Sequence, residues 1–343
     1  MAVRVGTYIN KLSDAIDRAN YRVVYIALAV LIAAPFIVGH WEASPKPRKI
    51  TKRLFNAIEE CAETGKPVLL INAWRMSSRG ENQPQFEVFV EHLMRRRIKF
   101  VMISLEPDTA IVGQRLCKRI ERYYKDKNGE DWIQYGRDWL MLGYRAIYAS
   151  GYWLIWIPNI KSSGMVKSFV RDYENKDLTT FPIMRRPGAP PLEKPGEPVD
   201  LDALSAEEYK EQWLRLDDFG LVLEVHFTHT IRDLIGLVRL DQDFRDADGK
   251  PKIKMGLGTV NMVVNEMLPY FDSDDLAGVL AGVQGASEYS ELLRATEEGP
   301  SRETVRQRVN PYSLGILFVL FVIILGNLST LWKRVAQGRG PSG

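Results

Sequence analysis

Two long apolar stretches, one near each end, restrict what this chain can become more than any other feature. Tyr21–Trp41 reads YRVVYIALAVLIAAPFIVGHW and carries no charge from Val23 to Gly39, while Tyr312–Trp332 is followed directly by Lys333 and Arg334. At about 1.5 Å per helical residue, each run is long enough to cross a hydrocarbon core roughly 30 Å thick. The aromatic and basic residues at their ends suit the membrane interface. The first run exceeds the apolar core of a cleaved leader, and no clean small-x-small site follows it, which predicts a retained anchor. A transmembrane helix is therefore expected at 21–41 and another at 312–332.

The segment between them, 48–297, has the size and patterning of a water-facing α/β domain. Charged residues make up 26% of the 343, and the formal charge is only +3, with no run of five basic residues. That balance excludes nucleic acid as the expected partner. Ile9, Leu12 and Ile16 stand at helical spacing among charges, so 1–20 is an amphipathic juxtamembrane segment. Residues 333–343 form a basic flexible tail. Cys61 and Cys117 leave a single bridge open without requiring one.

Within the domain, short continuous apolar runs alternate with helical patterns. Strands are predicted at Pro67–Trp74, Ile98–Leu105, Trp139–Gly143, Phe219–Phe227 and Lys252–Leu257. Helices are predicted at Lys52–Glu63, Pro84–Arg97, from Glu106 through Tyr124, at Ser205–Leu214, from Thr228 to about Leu240, and from Val260 onward. Ile111, Leu116 and Ile120 are expected to face inward on the third of these. Uninterrupted apolar runs suit strands buried on both faces, and this cadence predicts right-handed crossovers. The expected fold is a doubly wound, mostly parallel, five-stranded Rossmann-like sheet. Ala149–Ile160 is too short to span a bilayer and is expected to pack as a helix on the sheet. The proline-rich stretch 181–204 reads as an exposed connector. Asp274–Leu293 reads as one helix, with Ala277, Gly278, Ala281, Gly282 and Gly285 forming a small-residue face for a partner helix.

A parallel sheet places its ligands at the carboxyl ends of its strands. That edge collects Asn72, Arg75, Glu106, Tyr144, Arg145, His229, Gly256, Gly258 and Thr259 as the candidate pocket. Gly256-Leu-Gly-Thr259, between a strand and a helix, is the best anion cradle, with backbone N–H groups free to face a phosphate. It lacks the third glycine of a dinucleotide fingerprint, and no phosphate-loop motif occurs. His226 and His229 lie on opposite faces of a strand, and the aspartates at 241, 243, 246 and 248 miss the calcium-loop register, so no metal site is expected. No cofactor motif is complete, and no serine elbow is present.

Gly143-Tyr-Arg145, the Gly256–Thr259 turn and LAGVLAGVQGASEYSELL from Leu276 to Leu293, ahead of a closing apolar helix, resemble a prokaryotic family of membrane proteins. Its members carry one span at each end of an α/β domain, and no activity accompanies the resemblance. It implies the same architecture here. Around Ala146–Gly151 bulky aromatic residues stand where the family has small ones.

The expected role is a non-catalytic, membrane-anchored binding or scaffold module of a membrane complex. Its partners would be the lipid bilayer and either further copies or other membrane proteins. The alternative is a membrane-proximal enzyme or sensor for an anionic, phosphate- or sugar-nucleotide-type ligand at the carboxyl edge. Lys and Arg flank the two spans almost equally on both sides. The short basic N-terminal stretch favours a cytoplasmic (inner) membrane protein with its domain extracytoplasmic.

Overall fold

The computed structural model describes residues 45–145, 164–192, 194–227, 251–295 and 299–336, with 25–30, 33, 232–233 and 235–236. Side chains at 309–314, 325–326 and 328–336 are not among them. The chain divides into two units, Ser44–Val305 and Met1–Ala43 with Arg306–Gly343.

The first unit is a parallel sheet between two layers. Its elements are α1 (Lys49–Thr64), β1 (Val68–Ala73), α2 (Arg79–Arg95), β2 (Phe100–Ser104), α3 (Pro107–Asn128) and β3 (Trp139–Tyr144). They continue with α4 (Ala206–Gln212), β4 (Leu221–His226), β5 (Lys254–Thr259), α5 (Asn261–Asp272), β6 (Gly278–Ala281) and α6 (Gly282–Arg294). The strand order is β3-β2-β1-β4-β5-β6, and every pair is parallel. This is the doubly wound order of dinucleotide-binding sheets, with its reversal between β1 and β4.

Local chemistry explains the elements. Every residue of β1 is buried, as continuous Val-Leu-Leu-Ile requires of a central strand, and each such side chain contributes about 1.5–3 kcal/mol. On α1 the buried Leu54, Ala57, Ile58 and Cys61 share one face, and the helix stops at Gly65, whose φ of 68° suits a residue without Cβ. Successive strand residues face opposite layers. Leu69, Ile71, Val101, Val222, Met255, Leu257 and Val279 meet α5 and the buried parts of 165–184 and 209–219. On the other side, Asn72 bonds to α3, and Gly256, Gly258 and Gly278 admit α1 and α2.

The sheet has six strands rather than the expected five. The sixth comes from the stretch read as one helix from Asp274. Gly278–Ala281 forms β6, Gly282 turns the chain at φ 55°, and only then does α6 begin. The small residues serve close approach to α1: a Cβ on Gly278 would collide with the Ile50 carbonyl oxygen and the Leu54 backbone. The spacing that imitates a helix face is thus shared between a strand and the helix after it. Two further expectations shift. Ile111 is exposed instead of inward, and the proline-rich connector begins in the core, with Ile183 and Met184 buried.

α2 also starts earlier than expected, because Asn82 and Gln83 are buried helix residues rather than a loop. Gln85 Nε2 lies 2.8 Å from the Thr259 carbonyl oxygen, 3.2 Å from that of Leu280 and 3.0 Å from that of Gly282. Asn82 Nδ2 donates to the His226 carbonyl at 3.2 Å and to Gln85 Oε1 at 3.0 Å. Buried strand-end carbonyls need such donors.

Both ends of the unit are held by buried carboxylates. Glu288 accepts from Arg48 N (3.1 Å) and Thr51 Oγ1 (2.7 Å) at the start of α1, and pairs with Arg48 Nε at 2.6 Å. Glu91 accepts from Ser301 N at 2.7 Å, where the closing helix α7 (Ser301–Ala336) begins, and pairs with Arg95 at 2.6 Å. An anion at a helix N-terminus satisfies orphan N–H groups and the helix dipole.

Among the described residues no helix is long and apolar enough to cross a membrane. Of the expected span 21–41, only 25–30 and 33 are described; in 312–332, side chains are described only at 315–324 and 327. The amphipathic segment 1–20, the tail beyond Ala336, Ala149–Ile160, and His229 with the aspartates at 241–248 lie outside the described residues.

Candidate functional site

The strand order reverses between β1 and β4, the point at which doubly wound sheets hold their ligands, and Asn72, Arg75 and Glu106 fall at that edge. Asn72, near the end of β1, is fully buried, and its Nδ2 donates to the Thr109 carbonyl (2.7 Å) and to Ser104 Oγ (3.1 Å). It fixes the start of α3 against β1 and β2. Arg75 links the segments that follow β1, β2 and β4: its Nε donates to Glu106 Oε1 at 2.8 Å, and its guanidinium lies 4.8 Å from the centre of the Phe227 ring. Arg75 and Glu106 thus pair with each other, while Asn72 is used inside the sheet-to-helix contact.

The other candidates do not join them. Tyr144 ends β3, at one side of the sheet, and Arg145 follows it. Arg145 Nη2 donates to the carbonyls of Arg171 (2.7 Å) and Phe169 (3.2 Å), and burial pushes its guanidinium pKa down. Its cation is used to hold the chain after the β3 crossover. Gly256 and Gly258 lie inside β5 rather than in a loop, with their backbone in the ladder. A Cβ on Gly256 would strike Leu54, and one on Gly258 would strike Gln85. These glycines provide helix-to-sheet contact and do not form the expected anion cradle. From β3 to β5 the edge spans four strand spacings, about 19 Å, so the described candidates do not line one pocket.

A different polar group occupies the switch point. On β4, Glu224 and His226 share a face, with Glu224 Oε1 and His226 Nδ1 3.2 Å apart; Thr259 sits opposite His226 in the register. Glu224 and Thr259 are fully buried and His226 nearly so. Thr259 Oγ1 has no hydrogen-bond partner among the described residues. A carboxylate inside a central strand costs several kcal/mol of desolvation unless paired, which makes the Glu224–His226 pair the least bland feature of the sheet. Its signal in the sequence is the acid two residues before a histidine within the apolar run LVLEVH.

The edge also differs from the rest of the unit in what it exposes. Among the described residues of Ser44–Val305, the large apolar side chains that stand exposed are Met76, Ile111, Tyr144, Val170 and Met262, the last at 83%. Met76 follows β1, Ile111 lies in the second turn of α3 after β2, and Tyr144 ends β3. Met262 opens the helix after β5. Val170 adjoins the end of β3, because its neighbours Phe169 and Arg171 hold Arg145 and Tyr173 N donates to the Met141 carbonyl. All five border the carboxyl edge.

The cysteines are separate buried thiols, Cys61 on α1 and Cys117 on α3. Burial pushes the Cys61 thiol up to about 11 and Cys117 well above its ordinary value, which keeps both protonated and unreactive. Among the described residues no group of acids, histidines or cysteines comes together to hold a metal ion. No known protein family, no curated protein and no solved structure matches this chain.

Proposed function

We propose that the chain is a membrane-anchored α/β binding module that docks a protein partner with the carboxyl edge of its sheet. The observation that carries this reading is the gathering of the exposed Met76, Ile111, Tyr144, Val170 and Met262 on that one edge. Methionine and aromatic side chains are enriched where proteins bind one another. The commitment of Arg75 and Arg145 to internal partners weighs against an anionic substrate. Anchoring rests on the apolar runs 21–41 and 312–332. It is supported by residues 315–324 of α7, all apolar and half-exposed or exposed on every side of the helix. The reading places the chain in the cytoplasmic membrane with two spans and its domain extracytoplasmic. The partner is a second copy or another subunit of a membrane complex.

The test is affinity capture of the full chain from gently solubilised membranes, beside the double variant Met76→Ser, Met262→Ser. Both positions are exposed, so folding is expected to be unchanged. A partner band present with the wild type and reduced at least about tenfold with the variant supports the module. Capture of monomer alone from both contradicts it.

The Glu224–His226 pair with Thr259 favours a second reading, a small-molecule sensor at the same switch point. Under it, Glu224→Gln abolishes ligand-induced stabilisation while Met262→Ser does not.

A further inference from the structure

Inside its apolar run 312–332, α7 carries a carboxamide, Asn327, five residues before Trp332. At about 1.5 Å per residue that places it roughly 7 Å within the end of the run. Its side chain is exposed, and its Nδ2 donates to the Ile323 carbonyl oxygen, one turn back, at 2.9 Å. That bond uses one of the two amide N–H groups. The second N–H and Oδ1 have no partner among the described residues. In hydrocarbon no water is present to receive them, so leaving them unpaired is costly. The side of the helix on which Asn327 stands decides what can reach it. Within 315–324, Gly315, Phe318 and Val322 are half-buried and the others are exposed. Their three- and four-residue spacing puts them on one side of α7, the side its own chain covers most. At about 100° per residue, Asn327 stands roughly 140° around the helix from Val322. Ile316, Leu320 and Ile323 share its side instead, and they are exposed at 44%, 49% and 52%.

We infer that Asn327 is the polar contact through which α7 pairs with the α7 of a second copy inside the bilayer, an inference that rests on reading 312–332 as a membrane span. Two copies with the same topology hold their α7 helices parallel, so each Asn327 lies at the depth of the other. A carboxamide both donates and accepts. Across a two-fold axis the second N–H of one copy therefore meets the Oδ1 of its partner, and the exchange satisfies both. A different membrane protein would need a polar group at that depth, whereas a second copy supplies one by symmetry. The spacing of Ile316, Leu320, Ile323 and Asn327 is four, three and four residues, the seam of two helices packed at a shallow angle. One polar side chain in such a seam fixes its register. Within the chain, the first run offers one hydrogen-bonding side chain from 23 to 39, Tyr25, so Tyr25 is the rival partner that the test must separate.

The test is disulfide cross-linking of the full chain in intact membranes with copper phenanthroline as oxidant. Leu320→Cys, on the Asn327 side, is expected to give a cross-linked dimer, and Val322→Cys, on the other side, is not. The chain without an added cysteine is the control, since Cys61 and Cys117 are buried. Adding Asn327→Leu to Leu320→Cys should lower the dimer yield by about threefold or more. Asn327→Gln, which keeps the carboxamide, should retain it, and Tyr25→Phe should leave it unchanged. The double variant Met76→Ser, Met262→Ser should also leave it unchanged, which separates this contact from the docking edge. Carbonate extraction of the same membranes separates it from anchoring. A chain that stays in the membrane yet gives no Leu320→Cys dimer overturns this inference alone. So does a dimer yield indifferent to Asn327→Leu, equal cross-linking through Val322→Cys, or a loss with Tyr25→Phe as large as with Asn327→Leu. Release of the chain from the membrane overturns the anchored reading and this inference with it.

Discussion

His92 shows how one side chain ties the helical layer together. Its ring stacks on Phe55 at 4.4 Å, its Nδ1 lies 2.6 Å from Tyr289 Oη, and its Nε2 lies 2.6 Å from Glu59 Oε1. Burial holds the imidazole pKa below its ordinary 6.5, and the His92 hydrogen bond holds the Glu59 carboxyl below 4.5. In the unfolded chain His92 takes up a proton that the native site resists. Stability is therefore retained above about pH 6.5 and falls as the pH drops below it, and the Glu59 contribution is lost at lower pH still. Chemical denaturation of the full chain at pH 8 and pH 5.5 checks this, with lower stability expected at pH 5.5. Tyr289→Phe leaves the His92 ring nitrogen without its partner and is expected to cost about 1–3 kcal/mol. It should reduce the denaturation midpoint without changing the slope. Little of this was legible in the sequence, because hydrophobic periodicity identifies apolar faces and passes over polar residues that are buried through pairing. The same blindness made Glu224 disappear into a strand and turned Asn82 and Gln83 into an expected loop.

The ends of the sheet unit depend on whole helices held at their first turns. Glu288 on α6 secures the start of α1, and Glu91 on α2 secures the start of α7. Both carboxylates are buried, at 0% and 1% exposure, so each replaces solvent for the N–H groups it receives. Glu288→Gln removes charge-assisted bonds to Arg48 and Thr51 and is expected to cost about 1.5–3 kcal/mol. Hydrogen exchange should speed up selectively across 48–52 and remain unchanged in β1. In Glu91→Gln the faster exchange should appear at 301–304 instead. Neither clamp was readable from sequence spacing, since the partners lie about two hundred or more positions apart. The strands were readable, because largely apolar runs of strand length mark β1 to β4, and Ile253, Met255 and Leu257 alternate with polar or small residues at β5. β6 escaped because Gly278–Ala281 is only four residues long and its small residues continue a helical spacing into α6.

Across the whole molecule, the parallel sheet and its doubly wound order follow from alternating buried strands and helices, and the order puts its reversal between β1 and β4. Parallel strand direction explains why the described pocket candidates lie toward one edge yet spread across its width. Convergence depends on strand order, which sequence alone leaves open. The polar pair at the switch point and the apolar rim around it are separate surfaces of the unit. The proposed anchoring by the two apolar runs would give that arrangement its setting. The decisive measurement is alkaline carbonate extraction of membranes from cells expressing the full chain. Retention in the pellet with a peripheral protein released, and loss of retention when 21–41 and 312–332 are both deleted, is the predicted result. Release of the intact full chain into the supernatant would contradict the anchored module.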